Sequence, residues 1–260
     1  MGWFIDGRFS LAGFFVGLLI GQTGMGGGSL MTPILVLFFG IHPATAVGTD
    51  LLYASATKTV GTLVHGLNRT VNWRICGLLA SGSVPLTLLT LLAISRYDLS
   101  GPASGRIISL SLGFMLLLTA LSLIFRRSFL QLVAPTMERM TLGRASALTV
   151  LTGAILGVLV TISSVGAGAL GVTALLILYP RASMAVIVGS DIAHAVPLTL
   201  VAGIGHWWLG AVDWPLLTSL VSGSIPGIVV GSFLSAHIPD KVLRPILAVT
   251  LVVVGGRLVL

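Results

Sequence analysis

Polar and apolar positions alternate in this chain on the scale of whole segments rather than single residues. Stretches free of Asp, Glu, Lys and Arg run from Phe9 to Thr49, Ile75 to Ser95, Ile107 to Phe125, Ala145 to Pro180, Ile192 to Val212 and Trp214 to Pro239. A bilayer-spanning helix needs about 20 apolar residues, so the pattern predicts a polytopic membrane protein. It divides into ten apolar segments: 9–23, 29–40, 44–67, 75–95 and 105–125, then 146–163, 169–179, 183–208, 214–236 and 242–259. At about 1.5 Å per residue the second of each five reaches only about 16 to 18 Å, short of a hydrocarbon core about 30 Å thick. Each short segment follows a glycine-rich break, GQTGMGGG at 21–28 and SSVGAGALG at 163–171. Irregular backbone is tolerated at such depth only where it is buried in protein or lines a cavity.

The two sets of five are copies. A shift of 141 lays Gly48-Thr49-Asp50-Leu51-Leu52-Tyr53-Ala54 over Gly189-Ser190-Asp191-Ile192-Ala193-His194-Ala195, His65 over His206, Trp73 over Trp214, and Ser81-Gly82-Ser83-Val84-Pro85 over Ser222-Gly223-Ser224-Ile225-Pro226. A shift of 140 lays Gly17, Gly26 and Gly28 over Gly157, Gly166 and Gly168. The chain thus reads as a first transmembrane repeat at 1–127, a basic cytoplasmic linker at 128–144 and a second transmembrane repeat at 145–260. Cytoplasmic loops carry the excess of Lys and Arg. If each broken hairpin returns to its starting side, the split is 9 to 4 with Lys58 inside the membrane; if it crosses, the split is 8 to 5. The better separation favours two inverted five-segment repeats in an all-α polytopic fold, each with a glycine-broken half-helix, and both termini outside the cytoplasm. The start, MGWFIDGRFS, lacks the basic cluster and cleavage site of a removable signal peptide, so the segment from Ser10 is expected to stay embedded.

Composition narrows the chemistry. Of 260 residues, 55% are hydrophobic and 8% charged, against about 25% charged in a soluble domain, which excludes a soluble enzyme. A net charge of +7 would suggest nucleic acid in a soluble protein; here the charges fall between apolar runs, and no nucleic-acid partner is expected. The 33 glycines let helices approach closely. Cys76 is the single cysteine, which excludes an intrachain disulfide and a CxxC site. With no H-E-x-x-H helix either, neither metal nor cofactor is expected.

Ionisable residues inside apolar helices are costly and mark pathways. Of seven acids, Asp50 and Asp191 fall within helices at matching repeat positions. They read as proton-coupling candidates together with His65, His194 and His206, or as packing residues satisfied by nearby hydroxyls. Lys58 lies about 21 Å into its segment, too deep to snorkel easily. It reads as the holder of an anionic substrate or as the partner of a buried acid; its counterpart is Thr199. Asp50, Ala54, Lys58, Gly61 and His65 form one helical stripe, expected to face a cavity. The half-helices begin at Ser29 and Ala169, and their free N–H groups suit an anion. The substrate-binding candidates are therefore Gln22, Thr23, Gly26, Gly27, Gly28, Ser29, Lys58, Ser163, Ser164, Gly166 and Gly168.

GQTGMGGGSLMTPIL followed by HPATAVGTDLLY resembles the signature of the TauE/SafE family of sulfite and organosulfonate exporters, over nearly the whole chain. The second-half echo departs from it: Ala167 replaces a glycine, Thr173 stands opposite Pro33, and Leu86 follows Pro85 where Gly227 follows Pro226. The resemblance implies transport of small sulfur-containing anions across the cytoplasmic (inner) membrane; the inverted repeats and paired broken helices point to a secondary transporter working by alternating access rather than an enzyme, and the buried acids and histidines make protons the candidate coupling ion. An anion channel and an intramembrane enzyme without a recognisable catalytic set are the alternatives. The expected partners are a small anionic substrate and the lipid bilayer, and a homodimer is compatible with the chain.

Overall fold

A computed structural model describes residues 5–23, 28–96, 102–137, 141–166, 168–234 and 240–260. Among them are ten helices: α1 (Gly7–Thr23), α2 (Gly28–Leu37), α3 (Pro43–Leu67), α4 (Trp73–Ile94), α5 (Pro102–Met137), α6 (Leu142–Ser163), α7 (Ala169–Leu178), α8 (Met184–Trp208), α9 (Trp214–Leu234) and α10 (Asp240–Val259). Each falls on one apolar segment of the sequence. The largest departure is α5, which continues to Met137 through the start of the stretch read as a linker. The Arg126-Arg127 pair ends the apolar run, but charge does not end a helix. α2 stops at Leu37, and Gly40, at φ +64, turns the chain.

The protein is a multi-pass membrane protein: five helices, Trp73–Ile94, Gly105–Arg126, Gly143–Ser163, Met184–Trp208 and Trp214–Gly231, are long and apolar enough to cross a membrane. α3 equals α8 at 25 residues but is more polar, because it carries Lys58 and five threonines where α8 carries no lysine and one threonine. Local signals fix the helix starts. Asn72 Oδ1 accepts hydrogen bonds from Arg74 N and Ile75 N at 3.1 and 3.3 Å ahead of α4. Asp213, its repeat counterpart, accepts from Leu216 N at 2.9 Å ahead of α9, each satisfying N–H groups the helix leaves open.

The closest helix pairs are α1 with α9, α4 with α6, α3 with α8 and α5 with α10. Bare glycine backbone makes the first two seams. A Cβ at Gly13 would lie 2.2 Å from Leu220 O, and one at Gly17 2.5 Å from Ser224 O. At the repeat-equivalent places, a Cβ at Gly153 would lie 2.1 Å from Leu79 O and one at Gly157 2.5 Å from Ser83 O. Contact positions rise together, so α1 and α9 run parallel, as do α4 and α6. α3 and α8 run antiparallel, each start against the other's end: Gly48 abuts Ala211 O and Gly189 abuts Thr70 O. Two matching hydrogen bonds clamp these ends, Asp213 N to Thr49 Oγ1 at 3.0 Å and Asn72 N to Ser190 Oγ at 2.9 Å. The central pair thereby carries Asp50 and Asp191 on equivalent turns.

Candidate functional site

α3 and α8 bring Asp50, Lys58, Asp191 and His194 inside, exposed by 0, 4, 1 and 1% respectively. Burying an ion costs several kcal/mol unless charge and hydrogen bonds replace water, so the partners of each group define what it can do. Asp50 Oδ2 accepts from Thr32 Oγ1 on α2 and from Ser164 Oγ at 2.9 Å. Ser164 reaches it because the backbone turns left-handed, φ +58, on leaving α6. One carboxylate oxygen thus ties the first short helix to the second glycine break.

Asp191 is held differently. Its Oδ1 sits against the first turn of α7, where a Cβ at Gly171 would lie 1.9 Å away. That oxygen receives no hydrogen bond among the described residues. The charge acting on it is Lys58, which interacts electrostatically with Asp191 and Asp50 alike and also with His194. One turn along α8, His194 Nε2 and Ser83 Oγ of α4 hydrogen-bond at 2.9 Å, and His194 Nδ1 has no partner among the described residues. In the other half Tyr53 faces Ser224 at the equivalent place. Cys76 Sγ donates to Ser190 O at 3.3 Å, next to Asp191.

Along the stripe on α3, Asp50 reaches α2 and Ser164, Lys58 interacts electrostatically with Asp191, and a Cβ at Gly61 would lie 3.3 Å from Ile192 of α8. Ser163 turns back on its own chain, donating to Leu159 O at 2.7 Å and accepting from Val165 N at 3.2 Å. Gly166 and Gly168 have φ of +115 and +142, which glycine adopts most readily. Gln22 and Thr23 lie in the last turn of α1, and Gly28 and Ser29 open α2. The side chains of Gln22, Thr23 and Ser29, with Gly26 and Gly27, lie outside the described residues. His65 and His206 stand apart from the Lys58 cluster. His65 Nδ1 meets Thr70 Oγ1 at 2.8 Å at the end of α3, and His206 Nε2 meets Thr161 O at 2.9 Å. An apolar groove of about 370 Å³ between α5, α6 and α7, with Leu121, Ile155, Leu170 and Thr173 on its walls, contains none of the charged residues.

The sequence reading did not single out Thr32, Ser83 or Gly171. Ser83 had a signal, since it repeats as Ser224 within the duplicated SGSVP and SGSIP motifs. With one lysine and two carboxylates, the cluster carries a formal charge of −1 when all three are ionised.

The profile of the family described as "Sulfite exporter TauE/SafE" matches residues 9–258. The chain is 39% identical over 251 residues to the probable membrane transporter protein YjnA of Bacillus subtilis (strain 168), covering 96% of this chain and 98% of that one. It is 26% identical over 249 residues to the probable membrane transporter protein YdhB of the same organism, covering 93% and 95%. A probable membrane transporter protein of Xylella fastidiosa (strain 9a5c) is 27% identical over 233 residues, covering 87% and 83%. No solved structure matches the chain. From the duplicated glycine breaks to the match along nearly its full length, the chain belongs to the sulfite exporter TauE/SafE family.

Proposed function

We propose that the protein is a proton-coupled secondary transporter that exports small anions, sulfite and organosulfonates foremost, across the cytoplasmic membrane by alternating access. The observation that carries this reading is the buried Lys58, which interacts electrostatically with Asp191 and Asp50, one acid from each half. Paired short helices at glycine breaks are the architecture in which discontinuous-helix transporters hold substrate near the midplane. The antiparallel packing of α3 and α8 supports inverted repeats at 1–127 and 145–260. The Arg-rich stretch between them is then cytoplasmic and both termini lie outside. In this reading Lys58 recognises the anion, with Gln22, Thr23, Ser29, Ser163, Ser164 and the break glycines along its path. Asp50, Asp191 and His194 are the groups placed to exchange protons with it.

Flux into proteoliposomes tests the proposal, with sulfite, sulfoacetate, taurine and simple carboxylates as the panel. The expected result is saturable, pH-gradient-dependent flux of at least one sulfur-containing anion, falling at least about tenfold in K58M while yield holds. Flux that never saturates indicates a channel, and normal flux in K58M removes the lysine from recognition. Cysteine labelling checks the topology; termini labelled from the cytoplasm overturn it.

A further inference from the structure

We infer that Asp191 holds the place of the transported anion: its carboxylate occupies the first turn of α7 beside Lys58 and yields that place to the substrate by taking on a proton. This rests on the proposed anion transport and assigns the coupling to one group. Three observations meet there. The start of a helix carries partial positive charge, which favours an anion; the N–H groups of Gly171 and Val172 are taken by Gly166 O and Gly168 O at 3.3 and 2.9 Å, so what reaches the carboxylate here is the dipole and not a hydrogen bond. α7 has ten residues, and the Asp191 carboxylate lies against the third of them, Gly171, in the space a Cβ would fill. Its Oδ1 is fully buried and receives no hydrogen bond among the described residues. Lys58 supplies the facing charge.

A helix start and an ammonium group are what a sulfonate or sulfite needs after losing its water, and here both already face an anion. A second anion entering beside an ionised carboxylate meets like charge without screening. A sulfonate stays ionised at neutral pH, whereas the carboxylate can accept a proton from the aqueous side, become a neutral acid and release Lys58 and α7. The charged and titratable groups around Asp191 are Lys58 and Asp50 on α3, Cys76 on α4 and His194 on α8. α7 carries none, and Arg144, alone on α6, is exposed. Asp50 does not fit the role. Its Oδ1 too lacks a partner among the described residues, but its Oδ2 is taken by Thr32 and Ser164, and the counterpart of Gly171 at the shift of 140 is Met31, whose side chain fills the place a glycine leaves open.

The test is equilibrium binding of ethanesulfonate, sulfoacetate and taurine to the purified full-length protein, with proton uptake followed by an indicator in weak buffer. The wild type is expected to take up one proton per anion bound and to lose about tenfold in affinity per pH unit above the point where Asp191 ionises. D191N is expected to bind at least as tightly, with a flat pH dependence and no proton uptake. A D191N protein that is folded yet keeps the slope, or loses binding, overturns the inference. Should D191N not fold, G171A decides: its added methyl displaces Oδ1 from α7 and should cut the pH slope to less than half, and an unchanged slope overturns the assignment. Wild-type binding without proton uptake overturns this inference alone. Wild-type protein that binds none of the three sulfonates overturns anion transport and this inference with it.

Discussion

Asp50 and Asp191 occupy equivalent turns of α3 and α8, and each keeps a buried Oδ1 without a partner among the described residues, yet only Asp50 is tied there by hydroxyl groups. Asp50 receives two hydroxyl groups, one from α2 and one from the opposite half of the chain. Asp191 rests on bare backbone with Lys58 as its counter-charge. The residues that separate the two sites are few. Met31, Thr32, Tyr53 and Lys58 of the first half face Gly171, Val172, His194 and Thr199 of the second. Duplication supplied two copies of one scaffold, and these substitutions made one carboxylate a tie between hairpins while leaving the other able to change partners.

The strongest attack on this comparison is on the scaffold the halves share. A Cβ at Gly82 would stand 2.0 Å from Val150 O, and one at Gly223 1.8 Å from Ser10 O. G82V and G223V should each cost more than about 3 kcal/mol and yield little monodisperse protein in detergent chromatography. Tolerance in one half alone would mean that the seams are not equivalent. The α1–α9 seam has a further glycine contact, Gly227 on Phe14 O, where α4 has Leu86. Hence G227L should fail while L86G costs only about 1 kcal/mol.

Next in size is the tie at Asp50. The double variant T32V/S164A strips both donors from a buried carboxylate, at roughly 1 to 3 kcal/mol for each lost partner. Thermal unfolding should shift down by several degrees or more; an unchanged midpoint would put Asp50 on the same footing as Asp191.

Ser83 and Ser224 sharpen the comparison more finely. Ser83 bonds His194 Nε2, whereas Ser224 Oγ and Tyr53 OH face each other without making a hydrogen bond of regular geometry among the described residues. S83A should therefore cost about 1 to 2 kcal/mol and S224A less than about 0.5, read from the same melting curves.

Much of this was legible in the residue pattern, but unevenly. The ten helices follow from apolar runs and breaks, and the match of Asp50 to Asp191 from the repeat. The end of α5 did not follow, because two arginines stop hydropathy without stopping the backbone. The partners of the acids were hidden for another reason. Ser164 lies 114 positions from Asp50, and Ser83 lies 111 from His194. Hydroxyls serve equally well turned onto their own helix, as Ser163 and Thr199 are, so composition cannot tell which will reach across. Gly171 was hidden among 33 glycines, and only the approach of a carboxylate sets it apart.

The smallest effect belongs to a charge outside the duplicated core. Hydrogen bonds from the side chain and backbone of Arg8 hold the Asp6 carboxyl below its ordinary value. A depressed carboxyl stabilises the fold above its unfolded value and loses that contribution as pH falls through the folded one. Both groups are exposed, so salt screens the pair. D6N should lower the melting point only slightly at neutral pH, and the gap should close in acid and in high salt.

The seam between α1 and α9 bears on how the protein is made. α1 bonds through Ser10 Oγ to Ser219 O, 209 positions later in the chain. At synthesis rates of about 5 to 20 residues per second, its partner follows roughly 10 to 40 s behind. Through that interval the glycine face of α1 must wait in lipid or in the care of the insertion machinery. Neither half can close its seams alone, since α1 is completed by α9 and α6 by α4. Halves expressed from separate genes should therefore accumulate only when made together in one cell, each protected from proteolysis by the other.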